Sequence, residues 1–118
     1  MPEKLSLLIV TFQEDVLVIE FTDRRIVDHD AICEIHEQFT ALLDQRPGLR
    51  VLINFSAVDH LSSSALGFLV SFAKRLTDSD GQLKLCSIHP QIYEAFVITR
   101  LNQVFEIHDS TQTALAAF

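Results

Sequence analysis

Three consecutive hydroxyls, Ser62-Ser63-Ser64, stand between an apolar run that ends at Phe55 and an apolar stretch that begins at Ala65. A serine where a helix begins has two chemical uses. Its hydroxyl can accept a hydrogen bond from a free backbone N–H of the first turn. The same free N–H groups, with the positive end of the helix dipole, also stabilise a phosphate, which adds about 1.5 to 2 negative charges to a modified serine. Capping accounts for one serine of the three and is the simpler explanation on the residues alone. A third use, as the nucleophile of a hydrolase, needs the tight strand-to-helix turn of a G-x-S-x-G motif. The segment Asn54 to Gly67, NFSAVDHLSSSALG, has no such motif and no glycine ahead of the serines. A chain of 118 residues is also short for a hydrolase that must draw an acid and a base from other loops. No enzyme is expected.

The other reactive side chains form no constellation. His29, His36, His60, His89 and His108 are scattered, without metal-site spacing such as H-E-x-x-H. His36 reads as a helix-surface residue. His60 sits in the loop before the serines, where it is a candidate for contact with a partner or a phosphate. Asp28 is a helix cap by the simplest reading and a candidate partner contact by the other. Asn54, at the end of a strand, can tie the following loop to it by side-chain hydrogen bonds. Cys33 and Cys86 have neither metal-ligand spacing nor a secreted context and read as small buried hydrophobes of a reducing cytoplasm. No metal and no cofactor is expected.

The elements that position these groups follow from periodicity. Leu7 to Phe12 and Val16 to Phe21 read as a hairpin with a three-residue connection, Gln13-Glu14-Asp15. Asp28 or Asp30 caps a helix reaching about Asp44, with Ile32, Ile35, Phe39, Leu42 and Leu43 in one stripe, and Pro47-Gly48 stops it. Leu49 to Phe55, LRVLINF, is apolar enough for a central strand covered on both faces. Ala65, Leu66, Phe68, Leu69, Phe72, Ala73 and Leu76 form the apolar face of a second helix, with Phe68 and Phe72 expected to be partly exposed beside a partner. Gln82 to Ile88 is a strand, and Pro90 opens a third helix reaching about Leu101. Val104 to His108 is a short strand, and Thr111 to Phe118 a terminal helix. The pattern predicts one α/β domain over residues 1–118. Its mixed sheet has four to five strands, an N-terminal hairpin and a parallel remainder, with helices packed on it.

Composition narrows the function. The formal net charge is −7, and no patch of Lys and Arg interleaved with aromatics offsets it, so nucleic acid is not an expected ligand. The longest apolar runs, such as Val16-Leu17-Val18-Ile19, fall far short of the ~20 residues of a membrane span. The first residues lack the pattern of a secretory signal. A cytoplasmic protein with protein partners is expected.

The serine segment resembles the signature of STAS domains, in which a strand is followed by D-S-S-G-L-G opening a helix; Ser62-Ser63-Ser64-Ala65-Leu66-Gly67 occupies those six places. The hairpin, the Asp28-His29 turn, Asn54 and the Cys86-Ser87-Ile88 strand before Pro90 extend the resemblance, which is to bacterial anti-sigma factor antagonists, over nearly the whole chain. The resemblance implies a STAS-like fold and phosphorylation of the second serine, which is Ser64, with Ser63 and Ser62 as alternatives. It implies a partner face including Asp28, His60, Ser62, Ser63, Ser64 and Phe68, with Asn54 as structural support. It implies partner switching: the unmodified protein binds an anti-sigma factor that is also a serine kinase, phosphorylation releases it, and a phosphatase resets it. Two positions depart from the pattern. Ser62 replaces the aspartate, removing an acidic group beside the phosphosite. Ala65 replaces the first glycine, adding a methyl where a partner backbone would approach. These departures keep a second use open, a STAS module that binds without phosphorylation, as a scaffold of a stress-signalling complex or the small subunit of a lipid-transport ATPase.

Overall fold

The computed structural model describes residues 3–4, 8–26, 28–44 and 48–118. Its strands are β1 (Glu3–Lys4), β2 (Leu8–Gln13), β3 (Val16–Phe21), β4 (Arg25–Ile26), β5 (Arg50–Asn54), β6 (His60–Leu61), β7 (Gln82–Cys86) and β8 (Glu106–His108). Its helices are α1 (His29–Asp44), α2 (Ser63–Asp78), α3 (Pro90–Ile98) and α4 (Thr111–Ala116), with a 3-10 turn at Leu101–Gln103. The mixed α/β sheet expected from the sequence is present. Its order is β1-β2-β3-β5-β7-β8, antiparallel over β1-β2-β3 and parallel beyond. The two-residue edge strand β1 adds to the strands read from periodicity, being too short to carry any. Leu7 and Pro47, expected in the first strand and at the stop of the first helix, lie outside the described residues.

β2 and β3 join through two residues rather than three. Gln13 pairs with Val16, leaving Glu14 and Asp15 to turn the chain at φ 52° and 66°. Positive φ at both positions is the type I′ geometry whose twist matches that of a hairpin. Val16, Leu17, Val18 and Ile19 are all buried, because β3 is covered on both faces. One face meets α1 and α2 through Leu17, Ile19, Val51, Ile53 and Leu85. The other, through Val16, Val18, Leu52 and Cys86, meets Ala114, Leu115 and Phe118 at the C-terminus.

The stripe of α1 is buried at Ile32, Ile35 and Phe39, and that of α2 at Ala65, Phe68, Leu69, Phe72 and Leu76. Phe68 and Phe72 are therefore core residues, 9% and 3% exposed, and not a partly exposed pair. Both fall in phase with the stripe, and the Phe39 ring lies 5.1 Å from Phe68 and 4.7 Å from Phe72. Cys33 corrects a second expectation: it is exposed, lying one position past Ile32 and off the stripe, whereas Cys86 is buried. The turn after α2 depends on Gly81, where a Cβ would fall 2.6 Å from the Leu49 carbonyl oxygen.

Candidate functional site

Beyond the main sheet, two short parallel strands pair: Arg25 with His60, and Ile26 with Leu61. Each lies just ahead of a helix, β4 before α1 and β6 before α2. The pairing brings the two helix starts together, and the Ser62 N–H continues it by donating to the Ile26 carbonyl at 3.0 Å. Asp28 and Ser62 cap the two helices. The Ala31 N–H donates to Asp28 Oδ2 at 3.2 Å, and the Ala65 N–H donates to Ser62 Oγ at 3.1 Å.

The serines thus divide by role. Ser62 is the N-cap of α2, with extended backbone (φ −80°, ψ 165°) and its hydroxyl committed to Ala65. Ser63 and Ser64 are the first two helical residues, and both are outside the core and exposed, whereas Ser62 is half-buried. Among the described residues neither hydroxyl has a hydrogen-bond partner. Their N–H groups are the remaining donors of the first turn, since those of Ala65 and Leu66 bond to Ser62. Gly67, one turn on from Ser63 and Ser64, is also exposed, and a Cβ placed there would meet nothing within 4 Å.

The geometry recasts both departures from the STAS pattern. Serine and aspartate are equally good N-caps, so Ser62 keeps the capping function of the residue it replaces. Ala65 is 1% exposed, with its methyl in the core against the α1–α2 packing. The methyl does not stand where a partner would approach, because position 65 belongs to the inward stripe of α2.

The loop before the serines is fixed by charge. Asp59 accepts from Arg24 Nη2 at 2.6 Å and Nε at 3.0 Å, and its other oxygen lies 2.7 Å from His60 Nδ1. The hydrogen bonds from His60 and Arg24 hold the Asp59 carboxyl below the usual carboxylate range. His60 itself is exposed. On the other side, Gln91 Nε2 donates to the Asp59 carbonyl at 3.4 Å, and His89 Nε2 lies 2.8 Å from the Ser56 carbonyl. At the base of the loop, Asn54 Oδ1 accepts from the Ser56 N–H at 2.8 Å.

The structure therefore gathers Asp28, His60, Ser62, Ser63 and Ser64 around one pair of helix starts, with Asn54 beneath the loop and Phe68 buried in the core. Of the histidines outside that group, His36 packs edge-on to Phe68 with ring centroids 5.5 Å apart. Sequence reasoning missed Arg24 and His89. Arg24 pairs with a residue 35 positions away through strands too short to show a period, and His89 carried no local signal. Among the described residues no helix is long and apolar enough to cross a membrane, and no His, Cys, Asp and Glu side chains are grouped to hold a metal ion.

The fold is that of a STAS domain. The STAS domain family model matches residues 8–114, and the chain belongs to that family. A relative from Bordetella bronchiseptica, named as a candidate anti-sigma factor antagonist, is 33% identical over 69 residues, 58% of this chain and 60% of the relative. The match thus spans less than two thirds of that relative's length. A solved structure from Planctomyces limnophilus, described as an anti-sigma-factor antagonist (STAS) domain protein, has a TM-score of 0.84 at 28% identity, covering 93% of this chain and 96% of that one. The Bacillus cell fate determinant SpoIIAA, solved in its phosphorylated form, has a TM-score of 0.69 at 18% identity, covering 93% and 96% of the two chains. That last likeness is one of fold.

Proposed function

We propose that this chain is an anti-sigma factor antagonist working in the cytoplasm, switched by phosphorylation of Ser64. The observation that carries the reading is the division of labour at the start of α2: Ser62 does the capping, while the hydroxyls of Ser63 and Ser64 lie outside the core and are spared from it. Three serines exceed the needs of one cap. Of the two spare ones, Ser64 matches the modified place of the STAS signature. The antagonist names of the Bordetella relative and the Planctomyces structure support the same reading.

In this reading the unmodified α2 start, with Asp28, His60 and the serines around it, binds an anti-sigma factor that is also a serine kinase. The Ser64 hydroxyl oxygen attacks the γ-phosphorus of ATP held by that kinase. The Oγ–P bond forms, the bond to the ADP oxygen breaks, and the hydroxyl proton passes to a base of the kinase. The chain itself is the substrate and catalyses nothing. The phosphate adds about 1.5 to 2 negative charges inside a packed contact, which repels and must be desolvated. Turning a complex from 99% bound to 99% free takes about 5.5 kcal/mol of differential affinity, which a buried phosphate lacking a cationic partner can supply. A serine phosphatase would restore the binding form.

The test is incubation with the serine kinase encoded nearest this chain's gene and with ATP, followed by mass spectrometry of the segment 55–75. One phosphate on Ser64, absent from Ser64→Ala, is the expected result. Phosphate on Ser63 overturns the site. Binding with no phosphate on any serine overturns the switch and leaves a scaffold module.

A further inference from the structure

The C-terminal helix α4 lies on the face of the sheet opposite α1 and α2, with Ala114 fully buried and Leu115 and Phe118 packed beside it. It is pinned at both ends. Just past its last turn the Phe118 ring lies 4.9 Å from Lys84 Nζ, which is itself paired with Glu106 at 2.6 Å. At its first residue Thr111 Oγ1 accepts from Asn54 Nδ2 at 3.3 Å and lies 3.6 Å from Cys86 Sγ.

Asn54 is the unusual member of this arrangement. It closes β5 in register with Glu20 of β3 and Cys86 of β7. Its amide nitrogen donates to Glu20 Oε1 at 3.2 Å as well as to Thr111, and its amide oxygen accepts from the Ser56 N–H. One planar amide thus holds the first residue of α4 with one end and the loop leading to the serines with the other. Rotating the amide to suit one side breaks the bond on the other, because its nitrogen and oxygen move together.

We infer that docking of α4 and ordering of the loop 55–62 are coupled through Asn54, so that the serine face is tuned from the opposite side of the sheet. The consequence for partner binding rests on the switch reading above; the coupling itself does not. Linkage makes it reciprocal: whatever orders the loop tightens α4 by the same factor. Thr111 is then a positioning residue, acting on the loop through Asn54.

Amide hydrogen exchange on the full chain tests this without any partner. Thr111→Val removes the hydroxyl and keeps the shape, while Leu115→Ala loosens α4 from the sheet without touching Asn54. Amides of Ile53 and Leu85 in the central strands report opening of the whole molecule and serve as the reference. In both variants Ser56 and Val58, whose N–H groups bond to Asn54 Oδ1 and the Phe55 carbonyl, are expected to exchange roughly two- to ten-fold faster relative to that reference, the opening that loss of one hydrogen bond produces. In an Asn54→Ala background Thr111→Val is expected to add nothing at those amides. Faster exchange in α4 with Ser56 and Val58 unchanged overturns the coupling, as does full acceleration by Thr111→Val in the Asn54→Ala background. A failed coupling leaves partner switching standing, and failure of Ser64 phosphorylation leaves the exchange result standing.

Discussion

Gly67→Ala separates what the fold needs at the start of α2 from what a partner needs. Gly67 lies inside a 16-residue helix, is exposed, and leaves open space where a Cβ would stand, with nothing within 4 Å. Nothing among the described residues requires glycine there, and alanine in a helix interior is favoured over it by about 1 kcal/mol. The substitution should therefore stabilise the chain by about 1 kcal/mol, which raises Tm by about 4 °C for a domain of this size. At the same time the new methyl stands one turn from Ser63 and Ser64, on the face proposed above for partner binding. Forcing an extra methyl into a well-packed contact costs about 1–3 kcal/mol, equivalent to a roughly five- to more than hundred-fold loss of affinity. Calorimetry gives the first number and titration with the anti-sigma factor the second, and their opposite signs are the signature. A higher Tm with unchanged affinity would refute the placement of the partner face. A lower Tm would refute the open space at position 67.

Other perturbations follow from the same contacts. Ser62→Ala removes the cap and should cost about 1 kcal/mol of stability, read by denaturant unfolding, while leaving the Ser64 hydroxyl in place. Phe68→Ala should cost about 3–5 kcal/mol, because its ring sits among Phe39, Phe72 and His36; a variant that stays fully stable and only loses binding would restore the exposed position first expected for it. Asp59 and Glu106 are both held below the ordinary carboxylate range, Asp59 by His60 and Arg24 and Glu106 by Lys84 and His108. A depressed carboxyl stabilises the fold above its unfolded value, so stability should fall as pH drops from about 5 toward 2, through the lowered folded values. Arg24→Ala should flatten part of that decline in a series of unfolding curves, and an unaltered profile would remove Asp59 from the account.

Much of this was legible in the residues, and what was not has a physical reason. The α1 and α2 stripes announce themselves by spacing, since Ile32, Ile35 and Phe39 and then Ala65, Phe68, Leu69, Phe72 and Leu76 recur at helical period. The depth of Phe68 and the inward turn of Ala65 lie in that same phase. They show only when the serine motif is followed around the helix rather than along the chain. The β4–β6 pairing had no such signal. Two residues carry no period, and the parallel partner lies 35 positions away at both Arg25–His60 and Ile26–Leu61. Without that pairing, Arg24 is an ordinary charge in an irregular stretch and Asp59 an ordinary loop carboxylate. Thr111 was equally silent, because its contact with Asn54 exists only once α4 has folded back across the sheet.

The aspartate missing from the STAS pattern now has a consequence opposite to the one its absence first implies. An aspartate cap would place a fixed negative charge two residues from Ser64. At a surface separation of about 6 Å in water each such pair repels by about 0.7 kcal/mol per unit charge. Ser62 satisfies the same Ala65 N–H without that charge. The stretch from His60 to Gly67 holds no carboxylate at all, and the preceding one, Asp59, already bonds to Arg24 and His60. A phosphate on Ser64 would thus meet the N–H groups of the first turn with no fixed anion on its own segment to oppose it. The capping serine leaves the neighbouring hydroxyl in an environment that tolerates a phosphate better than the aspartate would. Release of a partner would then depend on the partner's surface rather than on strain within this chain.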